Sequence, residues 1–362
     1  MFILMVVIFI LGYLAIALEH PLKINKAASA LLIGTLTWVA YIIGLPEILL
    51  QGFSSSWNEF LLANPDANTR HEMVRFVAEH EVLEHLADTS TIIFFLLGAM
   101  TIVEIIDQHQ GFKVITDKIR TTNQVKLMWI LSFVTFFMSA VLDNLTTTIV
   151  MVTLLRKLVS DREQKWFMAA LIILAANAGG AWSPIGDVTT IMLWIGGQVT
   201  TVNIILKVIL PSLVAMIVPL LIITAFYPKK EVVRPEVDQI EEQTFISPAL
   251  RVGILCLGVG SLLFVPVFKT ITHLPPYMGM LFGLGTMWVT TEIIHRGSNL
   301  TDRRKLSVVK ILEKVDVPTV LFFLGILMAV ASLASAGHLD LLSGWLDEKV
   351  GDIYVINLII GA

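Results

Sequence analysis

"AGGAWSPIGDVTT", residues 178–190, places helix-breaking and polar residues in the middle of an apolar segment. The run WFMAALIILAAN precedes it and the run IMLWIGGQV follows it. Glycine is a poor helix former, and proline deletes a backbone donor and clashes with the preceding turn. We therefore predict that Gly179, Gly180 and Pro184 break the span 166–197 into two half-helices joined by unwound backbone.

The composition of the whole chain is that of a membrane protein. Its 362 residues are 56% hydrophobic and 15% charged, whereas soluble domains average about 45–50% apolar and about 25% charged residues. The apolar residues form runs long enough to cross a bilayer core, which takes roughly 20 helical residues. We predict an all-α polytopic protein embedded in a lipid bilayer. The net charge of −4 argues against a nucleic-acid partner.

A second apolar segment, residues 127–158, is too long for one ordinary span and too short for two. Its middle is polar, with the sequence MSAVLDNLTTTIV. Two short arms around a polar tip are typical of a re-entrant hairpin, which is tolerated only where protein or a water-filled cavity covers the tip. The other apolar runs predict ordinary spans, which lie near 1–18, 28–50, 90–109, 203–227, 249–268, 277–294 and 316–335.

The distribution of Lys and Arg orients these spans. With the N-terminus outside, the segments that face the cytoplasm carry most of the 25 Lys and Arg residues, as the positive-inside rule requires. The segment 51–89 then lies outside, with a short amphipathic helix around HEMVRFVAEHEVLEHLA. The polar segment 228–248 becomes a cytoplasmic linker between a first half, 1–227, and a second half, 249–362.

The two halves contain a short internal similarity. TIIFFLLGAM at 91–100 resembles TVLFFLGILM at 319–328, and the two segments cross the membrane in opposite directions in the predicted topology. This pattern predicts an inverted-topology repeat, the architecture of many secondary transporters. On the same alignment, the counterparts of the hairpin tip and of 178–190 would fall after residue 362. We therefore expect the second repeat to be incomplete and the chain to be truncated at its C-terminus.

The hairpin tip holds the first candidate site residue, Asp143. A carboxylate at membrane depth is costly, and by default it marks an ion or proton path. Asn144, Thr146 and Thr147 add amide and hydroxyl oxygens, which are hard ligands suited to hard cations. Aspartate is also a common helix N-cap, so Asp143 has a simpler structural role open to it, capping the second arm of the hairpin. The two roles are compatible.

The broken span holds the second candidate, Asp187, at the start of its second half-helix. Unwound carbonyls can coordinate a cation, and the N-terminal end of a half-helix carries a partial positive charge. Neutral oxygens surround the break, from Asn177, Ser183, Thr189 and Thr190. We predict Na⁺ binding at Asp143 and Asp187. The competing interpretation is a proline-kinked structural helix that Asp187 merely caps.

Glu104, inside the third span, is a possible proton relay. The sequence contains no phosphate loop, metal-ligand cluster or nucleophile elbow, so we expect no cofactor. A carboxylate that holds either H⁺ or Na⁺, but not both strongly, gives exchange if the site faces each side in turn. The pattern therefore favours a secondary transporter over an enzyme, with activity that rises with pH.

Two alternatives remain open. An anion carrier for dicarboxylates or arsenite fits the architecture, although an anionic substrate favours a neutral or basic site. An intramembrane aspartyl protease needs two facing acids, which Asp143 and Asp187 could supply. Its patterns are Tyr-Asp and Gly-x-Gly-Asp, however, whereas this chain has Leu-Asp-Asn and Pro-Ile-Gly-Asp.

Two motifs, SAVLDNLTTTIVMVTLL at 139–155 and ANAGGAWSPIGDVTTIMLW at 176–194, resemble the NhaD-type sodium/proton antiporters of the ion transporter superfamily. The resemblance covers nearly the whole chain in order and hydropathy. It implies efflux of Na⁺, and of Li⁺, against H⁺ entry, and hence a role in pH homeostasis. It also implies a homodimer in a bacterial inner membrane.

The resemblance transfers site residues only where this sequence matches the motifs. The Asp-Asn tip of the hairpin is Asp143–Asn144. The Asp-x-Thr-Thr tip of the broken helix is Asp187, Thr189 and Thr190, preceded by Asn177. The family's second hairpin and second broken helix have no matching positions in this sequence.

Overall fold

The computed structural model describes residues 1–65, 69–119, 121–226, 232, 246–296 and 306–361. Within these ranges the chain folds into helices and forms no β-strand. Six of the described segments are long and apolar enough to cross a membrane. The predicted class, an all-α polytopic membrane protein, is confirmed.

The described residues form nineteen α-helices of very different lengths. In chain order they are α1 (Phe2–Ala17), α2 (Glu19–Leu22), α3 (Lys26–Ile43), α4 (Leu45–Leu49), α5 (Ser55–Ala63), α6 (Arg70–Phe76), α7 (Val82–Gln108), α8 (Lys113–Thr116), α9 (Gln124–Leu142), α10 (Asn144–Leu158), α11 (Arg162–Ala181), α12 (Val188–Ile195), α13 (Thr201–Phe226), α14 (Pro248–Thr272), α15 (Pro276–His295), α16 (Val308–Leu312), α17 (Val317–Ser335), α18 (His338–Lys349) and α19 (Ile353–Gly361).

The third span starts earlier than the sequence predicts. The predicted boundary lies near residue 90, but α7 begins at Val82 and continues α6 through one π-helical turn, Val77–Glu81. Neither glycine nor proline occurs between Arg70 and Leu97, so nothing in the chain stops the helix there. The helical stretch begins instead at a capping box formed by Thr69 and Glu72.

The chain divides into two compact units, and α7 contributes residues to both. Unit 1 comprises residues 1–93 and 316–362, of which residue 362 lies outside the described part of the chain. Its central contact is between α3 and α17. A Cβ on Gly34 would lie 2.6 Å from the carbonyl oxygen of Gly325, so only small residues allow the two helices to come this close.

Unit 2 comprises residues 94–315 and contains the predicted hairpin and the predicted broken helix. Helix α11 packs on α9, α10 and α13, while α14 and α15 form a second packed pair. A buried apolar cluster lies among α9, α11 and α13, formed by Met128, Phe136, Leu171, Ala175, Met216 and Leu220. This packing brings the two polar interruptions of the sequence to one place.

Candidate functional site

The first interruption is a single residue between two helices. Helix α9 ends at Leu142 and α10 begins at Asn144, with Asp143 alone between them. The backbone of Asp143 has φ +81° and ψ 157°. Side-chain-bearing residues rarely adopt this region, and they persist there only where the surrounding structure enforces it. The hairpin tip is therefore a strained position that the packing of its neighbours maintains.

The second interruption lies at 182–187, between α11 and α12. Helix α11 continues through Gly179 and Gly180, so the break follows the two glycines and contains Pro184. The two glycines allow other backbone segments to approach α11 closely. A Cβ on Gly179 would lie 2.1 Å from the carbonyl oxygen of Phe136, and one on Gly180 would lie 2.3 Å from that of Gly186. A Cβ on Gly186, inside the break, would lie 2.7 Å from the carbonyl oxygen of Ser139, so the break lies directly against α9.

Asp143 caps the helix that follows it. Its Oδ1 accepts a hydrogen bond from the backbone N–H of Thr146 at 2.8 Å, and its Oδ2 accepts one from the hydroxyl of Thr146 at 2.7 Å. The N-terminus of α10 also places its positive partial charge at this carboxylate. Both oxygens of Asp143 are thus held by groups of its own helix.

Asp187 is bound differently, because its two oxygens face different parts of the chain. Oδ1 accepts hydrogen bonds from the backbone N–H of Thr189 at 2.9 Å and from the hydroxyl of Thr189. Oδ2 accepts a hydrogen bond from the side-chain amide of Asn144 at 2.5 Å. The same amide nitrogen donates to Oδ1 of Asn177 at 2.9 Å. Asn144 therefore joins the two interruptions into one polar site.

Three other predicted ligands, Thr147, Ser183 and Thr190, are buried on different segments around the two interruptions. Thr147 is fully buried one turn into α10, and its hydroxyl has no hydrogen-bond partner within the described residues. Ser183 is buried, and its hydroxyl accepts a bond from the backbone N–H of Ile185 at 3.3 Å. Thr190 is buried in the first turn of α12.

Glu104 lies on α7, and its partner is a neighbour on the same helix. Gln108 donates to Oε1 of Glu104 at 2.8 Å and accepts at its own Oε1 from Lys314 at 2.5 Å. Among the residues described, the hydrogen-bond partner of Glu104 is thus Gln108 and neither of the two aspartates. The structure does not bring Glu104 into the aspartate site.

Two tertiary contacts near the site are not predicted by the sequence. The hydroxyl of Ser139 donates to the carbonyl of Ala176 at 2.6 Å, which ties α9 to α11 just before both interruptions. The ammonium of Lys269 donates to the carbonyl of Trp194 at 3.0 Å, at the far end of α12. The position of Lys269 near the end of an apolar run was visible in the sequence, but its partner was not.

The chemistry of the site suits a small hard cation. Two carboxylates lie among amide and hydroxyl groups, and such oxygens are the ligands that hard cations prefer. In the part of the chain that the structure describes, no group of three or more His, Cys, Asp or Glu side chains is arranged to hold a metal ion. The Asn144 amide, which donates to Asp187, would present an oxygen to a cation after a half-turn about its terminal bond.

Comparison with known proteins identifies transporters. The profile of the CitMHS family, described as "Citrate transporter", matches residues 4–362. Sodium/proton antiporter 1 of Arabidopsis thaliana is 43% identical over 99% of this chain and 57% of its own length. Sodium/proton antiporter 2 of the same plant is 40% identical over 99% of this chain and 78% of its own length.

A bacterial relative matches less closely. The Na⁺/H⁺ antiporter NhaD of Vibrio cholerae is 28% identical over 98% of this chain and 72% of its own length. The resemblance to NhaD-type antiporters that the two motifs predict is thereby confirmed. The plant relatives are more similar than the bacterial one, so the resemblance does not place the chain in a bacterial membrane.

Proposed function

The chain belongs to the CitMHS family, described as "Citrate transporter", and we propose that this member is a secondary transporter that exchanges Na⁺ for H⁺ across a membrane. The names of three relatives support this substrate pair. The observation that carries the proposal is the site in which Asn144 joins the interruption at Asp143 to the interruption at Asp187. The chain spans 57% of the first relative's length.

Exchange follows from competition for the carboxylates. A protonated carboxyl group cannot also bind a cation strongly, so Na⁺ or Li⁺ on one side displaces a proton that is released there. If the site opens to each side of the membrane in turn, every cation carried one way requires protons to be carried the other way. Raising the pH deprotonates the carboxylates and favours the cation. We therefore expect transport to increase with pH until the supply of protons limits it.

The inverted-repeat architecture is part of the same proposal, and the helix contacts support it. In the first half, α1 packs on α3, and in the second half α14 packs on α15. Helix α17, with its segment 319–328, packs on α3. Helix α7, with the similar segment 91–100, approaches α15, since a Cβ on Gly98 would lie 2.7 Å from Cγ of Met280. The segment 319–328 of the second half thus belongs to a helix that packs on the first half, and the segment 91–100 of the first half approaches α15 of the second half at Gly98.

The orientation with the N-terminus outside and the homodimer remain proposals. The orientation rests on the distribution of Lys and Arg, and the homodimer rests on the family resemblance. Labelling of single cysteines placed in α5 and in the segment 246–247, in a chain without Cys256, would report the side on which each lies. Labelling of α5 only from the cytoplasmic side would overturn the orientation.

The central experiment replaces Asp143 with asparagine. Asp143→Asn keeps a polar side chain for the helix cap but removes the exchangeable charge. We expect Na⁺-dependent dissipation of a pH gradient in everted membrane vesicles to fall by at least about tenfold, because one charge beside a cation in a desolvated site is worth more than about 1.4 kcal/mol. Wild-type exchange in this variant would overturn the proposal.

The chain contains a matched control. Asp316 caps α17 as Asp143 caps α10, accepting from the backbone N–H of Thr319 at 3.2 Å and from its hydroxyl at 2.5 Å. Asp316 is exposed, whereas Asp143 lies at the site. Asp316→Asn should therefore leave exchange unchanged. If both variants lose exchange equally, the loss reports the helix cap and not cation binding.

Carriage of an anion such as citrate is the second candidate, and the description of the family favours it. Two carboxylates at one site repel a polyanionic substrate, which makes this candidate the weaker one. Uptake of radiolabelled citrate into the same vesicles separates the two functions. Citrate uptake without Na⁺-dependent proton movement would establish the anion carrier and overturn the antiporter.

We also propose Glu104 as a proton relay, supported by its half-buried position on α7 and its link through Gln108 to Lys314. Glu104→Gln removes the exchangeable proton and keeps the hydrogen-bonding shape. The expected result is a lower maximal rate with the same apparent Na⁺ affinity, because the relay does not touch the cation. An unchanged rate over the whole pH range would exclude the relay.

A further inference from the structure

Lys269, on α14, makes two contacts with one residue of the broken helix. Its ammonium donates to the backbone carbonyl of Trp194 at 3.0 Å and lies 4.5 Å from the centre of the Trp194 ring. Trp194 is 2% exposed and packs edge-on against Phe95, with ring centres 6.5 Å apart. A cation over an indole face and a charge-assisted hydrogen bond reinforce each other here.

The helix that Lys269 contacts is short, and its other end carries Asp187. Helix α12 has eight residues, so its two ends are separated by about 12 Å. Asp187 caps the N-terminus, where its carboxylate complements the positive end of the helix dipole. Lys269 complements the negative end at the C-terminus. Unwound backbone precedes α12 and glycines follow it, so Asp187 and Lys269 are the side chains that cap its two ends.

The turn after α12 shows why the second cap is needed. Gly196 and Gly197 end the helix, and Gly197 has φ +73° with no atom within 4 Å of the position of a Cβ. The backbone N–H groups of Gly196 and Gly197 both point to the carbonyl of Trp194, that of Gly197 at 3.3 Å. The ammonium of Lys269 donates to the same carbonyl at 3.0 Å and is the side chain that caps this end of the helix.

We infer that Lys269 is a positioning residue for the cation site, holding α12 through Trp194 so that Asp187 stays in register with Asn144. The inference rests on the proposed function, since the site it serves is the proposed cation site. Lys269 itself touches neither aspartate, and its effect passes along the rigid helix. The contact also joins the second half of the chain to the broken helix of the first half.

The transport test compares three variants with the wild type. Lys269→Met removes both contacts, and we expect the apparent KM for Na⁺ to rise by roughly fivefold while the maximal rate changes by less than about twofold. Lys269→Arg should restore the wild-type KM, because a guanidinium can donate to the same carbonyl and stack on the same ring. Lys207→Met, which removes an exposed lysine of α13, should leave both quantities unchanged.

The result that overturns the inference is a Lys269→Met variant whose KM equals that of Lys207→Met. A loss of maximal rate with unchanged KM would also overturn it, because that pattern reports general damage. Absence of exchange in the wild type would instead be a failure of the proposed function, and a second measurement then decides the inference.

That measurement is hydrogen–deuterium exchange of the full chain in detergent, followed in peptides that cover 188–198. Without its C-terminal cap α12 should open more often, and its amides should exchange roughly fivefold faster in Lys269→Met than in the wild type. Peptides of α10 serve as an internal reference and should not change. Equal exchange of α12 in Lys269→Met and Lys207→Met would overturn the positioning role without reference to transport.

Discussion

Asp143 and Asp316 cap their helices in the same way but lie in very different surroundings. Each accepts one bond from the backbone N–H and one from the hydroxyl of a threonine three positions later. Asp316 has φ −73° and begins α17 from the surface, whereas Asp143 has φ +81° and separates two packed helices. The same hydrogen-bonding pattern therefore occurs at an exposed helix cap and at the proposed binding residue, and the two aspartates differ in their surroundings.

The largest expected effect is a loss of stability, caused by disturbing the close packing of α11 against α9 near Asp143. Gly179→Ala would place a methyl group 2.1 Å from the carbonyl oxygen of Phe136, and backbone cannot yield as a flexible side chain does. We expect a loss of stability of about 1–3 kcal/mol or more. Thermal unfolding followed by size-exclusion chromatography in detergent measures it.

The control is Gly253→Ala on α14, where nothing lies within 4 Å of the added Cβ. This variant should unfold at or above the wild-type temperature, since alanine favours a helix by about 0.5–1 kcal/mol over glycine. Equal unfolding temperatures for the two alanine variants would mean that close approach at Gly179 is not required.

The next largest effect is expected at Asp187. Asp187→Asn removes the charge that Asn144 contacts, and we expect the apparent KM for Na⁺ to rise by about tenfold, as loss of a charge-assisted contact implies. Na⁺-dependent quenching of a pH-sensitive dye over a range of pH values measures it. If neither the KM nor the pH profile changes, Asp187 is only the cap of α12.

A smaller effect on Na⁺ affinity is expected at Thr146 but not at Thr319. Thr146→Val and Thr319→Val remove the same hydroxyl bond from Asp143 and Asp316. A hydrogen bond to a charged group contributes about 1.5–3 kcal/mol, and exposure to solvent lowers this value, so Thr146→Val should lose at least as much stability as Thr319→Val. Only Thr146→Val should also raise the KM for Na⁺, by about threefold. Equal transport by both variants would contradict the special setting of Asp143.

The smallest effect is expected at Ser183. Its hydroxyl makes a single 3.3 Å bond within the turn that it belongs to, so Ser183→Ala should change the KM for Na⁺ by less than about twofold. A change as large as that of Asp187→Asn would show that Ser183 contacts the cation directly.

The sequence predicts most of the helices because each apolar run is long and bounded by polar residues. It also predicts both interruptions, because their composition departs so clearly from the runs around them. It does not predict that Gly179 and Gly180 lie inside α11, since a close approach to Phe136 depends on another helix. The link from Asn144 to Asp187 and the link from Lys269 to Trp194 are tertiary contacts that no local pattern encodes.

The contact between Gly34 and Gly325 has a consequence for the order in which the protein is made. Unit 1 is discontinuous, and the partner of α3 emerges from the ribosome only after all of unit 2, residues 94–315, has been synthesised. During that interval the small-residue face of α3 must be covered by lipid or by the insertion machinery. Unit 2, which contains the proposed cation site, is continuous in sequence, so all of its residues are made before α17.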